Sequence, residues 1–231
     1  MSDSRAMSRR AFLLGAAATV AACDSQRPRA GLLGFMERVN ERTQRALFSP
    51  HRMAPELPEK DTTPNSAFPR YYVSPATPVA PRHWRLRVGG LVARPQSFTL
   101  EALQRLPRTD LRVRHHCVEG WSAVASWHGV RLRDLAELVG ADERAPYVEF
   151  RSFDMGYYSS WDRESALHPQ TILAYGMNGE PLAPGYGAPL RLYSSVKLGY
   201  KMVKYLTEIS FLPMRTGGYW EDRGYEWYAG V

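Results

Sequence analysis

Apolar and polar residues alternate with two different periods along this chain. From Gly31 to Phe48, Leu32, Leu33, Phe35, Met36, Val39, Ala46 and Leu47 recur at helical spacing, and Glu37, Arg38, Glu41, Arg42 and Arg45 fill the other face. That is the period of an amphipathic helix, expected to pack on the domain and to end at Ser49-Pro50. Residues 50–81 carry eight prolines, Pro50, Pro55, Pro58, Pro64, Pro69, Pro75, Pro78 and Pro81. Proline fixes φ and removes a backbone donor, so this stretch is expected to be extended and irregular. Its Phe68, Tyr71 and Tyr72 predict a strap across the domain rather than a free linker.

Further on the period shortens to two. Trp84–Val88, Leu111–His115, Tyr147–Phe150, Ile172–Tyr175 and Leu190–Tyr193 read as strands, with Gly89-Gly90 as a turn. Thr99 offers an N-cap to a short helix through Leu103, and Leu132–Val139 forms a second one capped by Gly140. Many short strands with few short helices predict an α+β domain. No internal repeat and no low-complexity tract interrupts it.

Before the first helix the pattern changes again. Ser8-Arg9-Arg10-Ala11-Phe12-Leu13-Leu14 leads into an apolar run ending at Ala22. The run is too short to span a bilayer and suits the apolar core of an export signal. The paired arginines resemble a twin-arginine signal, which is read by a route that carries folded proteins. A cofactor inserted before export is a common reason to need that route. Val20-Ala21-Ala22-Cys23 resembles a lipoprotein cleavage box, which would place a lipidated Cys23 at the mature N-terminus. Residues 24–30 then read as a tether. The localisation expected from these features is periplasmic, with a lipid anchor at Cys23.

Composition narrows the function classes. With 44% hydrophobic and 23% charged residues the chain is a folded one. The net charge is +7, of which Arg5, Arg9 and Arg10 against Asp3 contribute +2, leaving +5 after the signal. No run of five Lys or Arg occurs, which argues against nucleic acid and leaves a membrane surface or an anionic ligand. The two cysteines are Cys23 and Cys117, so the body of the domain has no disulfide framework.

A lone cysteine can be a small core residue, a nucleophile paired with histidine, or a soft metal ligand. Cys117 follows Arg112, Arg114, His115 and His116, surroundings that favour a thiolate. It sits where a strand runs into a Gly-containing turn. His128 and His168 lie downstream, in contexts that fit no cysteine-hydrolase pattern.

The block His116-Cys117-Val118-Glu119-Gly120-Trp121-Ser122, followed by Trp127-His128-Gly129-Val130, resembles the core motif of the sulfite-oxidase-fold molybdopterin oxidoreductases. It is most similar to their bacterial branch, that of the periplasmic methionine-sulfoxide reductase catalytic subunit. The resemblance covers about residues 60–215. It implies an α+β molybdopterin-binding domain over 59–231, with mixed sheets and a partly barrel-like core, after a signal at 1–23 and a tether and helix at 24–58. It also implies Mo-molybdopterin as cofactor, with Cys117 as the metal's thiolate ligand beside two dithiolene sulfurs.

Other positions carry over in the same way. Asn65 and Phe68 match the family's pterin loop, and Ser152 stands where the family has a pterin-contacting Thr. Gly187-Ala188-Pro189-Leu190-Arg191 matches the strand whose Arg grips the cofactor phosphate. Lys197-Leu198-Gly199-Tyr200-Lys201-Met202-Val203-Lys204 matches the loop that follows, which contacts the phosphate, with Met202, Val203 and Lys204 as the cofactor contacts. Tyr186 departs from the Asn or His usual before that Gly-Ala-Pro. His115 and His116 face opposite sides of a strand, and His116 is the one expected to face the cofactor. Glu119 is a catalytic candidate beside Cys117, and Trp121 and Trp127 are expected as walls.

The resemblance further implies a monomeric enzyme transferring an oxygen atom, in the direction of reducing an S-oxide or similar small substrate. Sulfite-type oxidation is the alternative on the same fold, and a non-catalytic lipid-anchored binding protein is the alternative in another class. No second redox centre is encoded, so a membrane haem or quinone-linked partner is expected to exchange the electrons.

Overall fold

The computed structural model describes residues 31–231; the export signal, the lipoprotein-type box and the tether expected within 1–30 lie outside them. Chain order runs from helix α1 (Gly31–Leu47) through the proline strap to β1 (Leu86–Gly90) and β2 (Gln96–Phe98). Helix α2 (Leu100–Gln104), β3 (Arg108–His116), β4 (Ser122–Arg131) and α3 (Leu132–Val139) follow. Next come β5 (Tyr147–Ser152), β6 (Tyr158–Asp162), α4 (Arg163–Ala166) and β7 (Thr171–Met177). The chain closes with β8 (Glu180–Pro181), β9 (Arg191–Ser194) and β10 (Leu206–Leu212).

The strands make two sheets. One has the order β2-β1-β10-β5-β6, in which only the β1–β10 pair is parallel. The other is antiparallel: β3-β4-β7, with β8 and β9 sharing the far edge of β7. The partly barrel-like core expected from the resemblance is thus two open sheets, neither closed into a barrel. Leu86, Phe150, Ile209 and Phe211 from the first sheet and Val113, Trp127, Leu173 and Leu192 from the second join one buried cluster. Every residue of β7 is buried, the unbroken apolar reading of a strand covered on both faces.

Local chemistry sets the element ends. Thr99 accepts a hydrogen bond from the Ala102 N–H at 3.2 Å, capping α2. The α3 stripe Leu132, Leu135, Ala136 and Val139 is buried, and Gly140 ends the helix in the left-handed region. Gly90, expected as a turn, is instead the last residue of β1 with φ +78°, and a Cβ there would collide with the Phe211 backbone of β10.

The proline strap lies across the domain as expected. The Leu57 and Thr63 N–H groups donate to the Arg112 and Val124 carbonyls, each at 2.9 Å. Phe68 is buried in the core. Helix α1 forms where predicted but docks the other way round. Its C-terminal half is held by polar side chains: Gln44 bonds Glu226 and the Gly230 N–H, and Glu41 pairs with Arg215. Leu32, Phe35, Met36 and Val39 face solvent.

The C-terminal segment is fixed by a buried ion pair. Lys197 Nζ lies 3.1 Å from Asp162 and donates to the Tyr228 carbonyl at 2.7 Å. Asp162 also caps α4 through the Ser165 N–H. Removing one member of such a pair leaves the other charged and buried. Asp162→Ala is expected to lower stability by about 3–5 kcal/mol, read as a fall in the urea unfolding midpoint. A loss well under 1 kcal/mol would show that the pair is not holding the segment.

Candidate active site

Cys117 owes its position to a tight hairpin. Strands β3 and β4 pair in register up to His116 opposite Ser122, and residues 117–121 make the connection. The Cys117 N–H donates to the Trp121 carbonyl at 3.0 Å, and the Gly120 N–H to the Cys117 carbonyl at 3.1 Å. Gly120 takes φ +89°, which favours glycine. The sulfur is half-buried and lies 3.8 Å from a Glu119 carboxylate oxygen, to which Trp121 Nε1 also donates at 3.0 Å.

Burial pushes the Cys117 thiol up, and the Glu119 charge adds to this against the pull of nearby backbone N–H groups. The cationic surroundings expected from the sequence are therefore absent. The reason is strand periodicity: Leu111, Val113 and His115 point inward, while Arg112, Arg114 and His116 share the other face. The expectation for His116 is corrected on the same ground, since His116 is exposed and His115 lines the cavity. No histidine is bonded to the sulfur among the described residues, so the nucleophile reading has no base.

Beneath the sulfur lies a cavity of about 300 Å³. Of the residues singled out from the sequence, Phe68, Cys117, Glu119, Trp121, Ser152, Arg191, Met202 and Lys204 line it. Asn65, Tyr186 and Val203 do not. The Asn65 side chain is bonded to Asn178 at 2.7 Å. Tyr186 is buried, and its hydroxyl donates to the Asn65 and Phe68 carbonyls, bracing the loop rather than facing a ligand. Val203 is a core residue whose carbonyl pairs with the Leu192 N–H. Trp127, expected as a wall, is wholly buried behind the cavity and stacks on Tyr193 at 4.3 Å.

The far end of the cavity concentrates positive charge. Arg191 is only 3% exposed and pairs with no carboxylate among the described residues; it donates to the Tyr186 carbonyl at 3.1 Å and lies over the Trp127 ring. Lys204 is held by the Tyr71 carbonyl at 2.6 Å. Burial, with Arg191 adding to it, pushes the Lys204 ammonium down to about 7. Burial likewise pulls Arg191 down to about 10 and His115 to about 3, with Arg191 and Lys204 reinforcing the effect on His115. His115 is thus neutral, and its Nδ1 is buried without a partner, as is the Tyr205 hydroxyl. Gly187 allows the two cations to approach: a Cβ there would meet the Lys204 Cβ at 2.9 Å and the Arg191 Cβ at 3.2 Å.

Residues that carried no sequence signal complete the walls. Tyr157, Tyr205, Trp220 and Tyr225 come from three separate stretches of chain; Tyr200 and Gly199 belong to the loop already read from the sequence, and Gly199 gives room to the His115 ring. An abundance of tyrosine was visible, but no spacing joins these positions.

These features fit a phosphorylated, hydrogen-bonding ligand that brings most of a metal's donors with it. Two neighbouring cations, Arg191 and Lys204, have at their end of the cavity the Asp154 carboxylate, whose oxygens are taken by the Val73 and Ser74 N–H groups, and the excess positive charge suits a dianion. The unpartnered His115 and Tyr205 groups want polar partners. No cluster of three His, Cys, Asp or Glu able to hold a metal occurs among the described residues, so a metal beside Cys117 takes its other donors from elsewhere.

Comparison with known proteins agrees with the geometry. The profile of the oxidoreductase molybdopterin-binding domain matches residues 74–220. The chain belongs to this family and is a molybdenum-dependent oxidoreductase with Mo-molybdopterin as its cofactor. Among relatives, a putative protein-methionine-sulfoxide reductase subunit YedZ1 of Azospira oryzae is 40% identical, over 98% of this chain and 87% of that protein. The protein-methionine-sulfoxide reductase catalytic subunit MsrP of Campylobacter jejuni is 30% identical, over 65% of this chain and 57% of its own. The same subunit from Xanthomonas axonopodis is 34% identical over 60% and 48%. The chain thus spans about half the length of the MsrP proteins. The sulfane dehydrogenase SoxCD of Paracoccus pantotrophus shares the fold, with a TM-score of 0.62 and 24% identity, covering 72% of this chain and 46% of that one.

A charge-assisted hydrogen bond contributes about 1.5–3 kcal/mol, equivalent to roughly ten- to a hundredfold in affinity. Arg191→Met is expected to lower retained molybdopterin by that factor, measured as molybdenum and pterin per chain after gel filtration. Full retention would remove Arg191 from the phosphate site.

Proposed function

We propose that this protein is an exported reductase that removes the oxygen atom from a neutral S-oxide or similar small oxo substrate. The observation that carries the reading is the charge beside the sulfur. The charged side chain in contact with Cys117 is the Glu119 carboxylate, which disfavours an approaching sulfite anion and tolerates a neutral sulfoxide. The positive charge of Arg191 and Lys204 is matched instead to the cofactor phosphate. The names of the MsrP relatives support the same direction.

When bound, Mo-molybdopterin supplies two-electron oxygen-atom-transfer chemistry. Cys117 would hold the metal through its sulfur. Arg191, Lys204 and Ser152 would hold the phosphate and pterin, with His115 as a neutral hydrogen-bonding group. Reducing a sulfoxide takes two electrons and two protons and releases a thioether and water. Glu119, fixed by Trp121 Nε1, is placed to carry protons at Oε2 next to the sulfur. Phe68, Trp121 and Val118 line the cavity around it and limit water.

Export rests on Arg9-Arg10 and the apolar run behind them, and the lipid anchor on Cys23. The relatives are named as subunits, which supports an electron-transfer partner. A membrane haem or quinone-linked protein is the partner proposed.

The test is a substrate panel of sulfoxides, N-oxides and sulfite with an artificial electron donor or acceptor. Sulfoxide reduction should dominate, and sulfite oxidation in its place would overturn the reading. Cys117→Ser should abolish turnover and change the metal's spectrum. Glu119→Gln should lower kcat roughly a hundredfold or more while molybdenum content is kept; an unchanged kcat would remove it from proton transfer.

A further inference from the structure

Helix α1 is amphipathic in the unusual sense: its polar face docks on the domain. At 100° per residue, Leu32, Phe35, Met36, Val39, Thr43, Ala46 and Leu47 form one stripe. Every member of it is exposed, Leu32 by 74%, Met36 by 54% and Phe35 by 53%. The opposite face holds the helix in place. There Gln44 bonds Glu226 and Gly230, Glu41 pairs with Arg215, and the Arg45 guanidinium lies over the Trp227 and Tyr228 rings. A helix that only covered the domain would turn its leucines and phenylalanine inward.

Two further observations say what meets the stripe. The first is charge. Arg38 and Arg42 are exposed along one border of the stripe, whereas Glu37 and Glu41 lie on the side toward the domain. Arg27 and Arg29 precede the helix in sequence. The outward face is thus apolar with a basic margin, which suits an anionic lipid surface.

The second is reach. Eight residue steps separate Cys23 from Gly31, and an extended chain covers about 3.3–3.6 Å per residue. A lipid on Cys23 would therefore keep the start of α1 within roughly 30 Å of the bilayer. No described helix is long and apolar enough to cross a membrane, so α1 would lie on it.

We propose that α1 is an in-plane membrane-docking helix whose apolar stripe enters the interface of an anionic bilayer and sets the orientation of the catalytic domain. The reach argument rests on the reading that Cys23 is lipidated; the stripe and its charges do not. The helix docks on residues 226–230, directly after Tyr225, and Tyr225 and Trp220 line the cavity. Seating α1 on lipid thereby fixes which way the cavity faces, while the acyl anchor provides retention.

The test uses residues 24–231, which contain all the packing described above and lack the acylated cysteine. Vesicles of phosphatidylglycerol and phosphatidylethanolamine are compared with phosphatidylcholine vesicles by flotation. The protein should float with the anionic vesicles. Phe35→Glu with Val39→Glu should lower the partition coefficient at least tenfold, and Arg38→Gln with Arg42→Gln should lower the preference for anionic lipid. Both variants should keep molybdenum content and turnover. The proposal is overturned if the unaltered protein stays unbound with both vesicle types, or if the stripe variant floats equally well. It is also overturned if the unaltered protein sediments as a dimer that the stripe variant dissociates, since a second copy would then cover the helix. Mass spectrometry of the full chain's Cys23 peptide tests the anchor separately: flotation without a lipid there would refute the anchor and keep the helix.

Discussion

A buried Arg191 beside a half-buried Lys204, with the Asp154 carboxylate already engaged by the Val73 and Ser74 N–H groups, is the constraint around which this cavity is organised. Arg191 and Lys204 lose hydration and repel each other; their direct hydrogen-bond partners are carbonyl oxygens, Arg191 also lies over an aromatic face, and the Asp154 carboxylate only partly offsets the charge of Lys204. Such an arrangement is unfavourable in an isolated fold. The chain nevertheless invests structure in it: Gly187 lets the two side chains close up, and Trp127 supports the guanidinium from behind. A bound dianion turns that cost into affinity. The phosphate of molybdopterin would meet the requirement, with the proposed metal ligand Cys117 lining the same cavity.

At the other end, the β3–β4 hairpin supplies the sulfur and sets its electrostatics. Burial, with the neighbouring carboxylate adding to it, pushes the thiol up. In the proposed reading, Glu119 opposes loose anionic ligands at the sulfur and serves as the proton carrier. On the same reading, opposite charge at the two ends of one cavity separates cofactor binding from substrate selection.

Much of this was legible in the chain, for identifiable reasons. A strand with clean alternation, such as β3, and helices with caps, such as Thr99 and Gly140, are local signals. Strand β10 was missed although it lies in the centre of its sheet. A register shift between Leu206 and Glu208 breaks its two-residue period. Strand β4 has a similar irregularity at His128 and Gly129 and is buried on both faces. The motif around Cys117 identified the sulfur, yet composition near it suggested a cationic setting. Strand periodicity reversed that by turning Arg112, Arg114 and His116 away and His115 inward. The tyrosines and tryptophan of the cavity wall meet only in three dimensions. For α1 the period was readable, but which face docks depends on side chains of residues 215 and 226–230 that no local pattern announces.

The central claim is that the cavity holds Mo-molybdopterin with the Cys117 sulfur on the metal. X-ray absorption at the molybdenum edge of the purified holoprotein tests it most directly, compared with Cys117→Ser. The variant should retain molybdenum through the Arg191 and Lys204 end and show one sulfur fewer around the metal. An unchanged sulfur shell in the variant would contradict the claim.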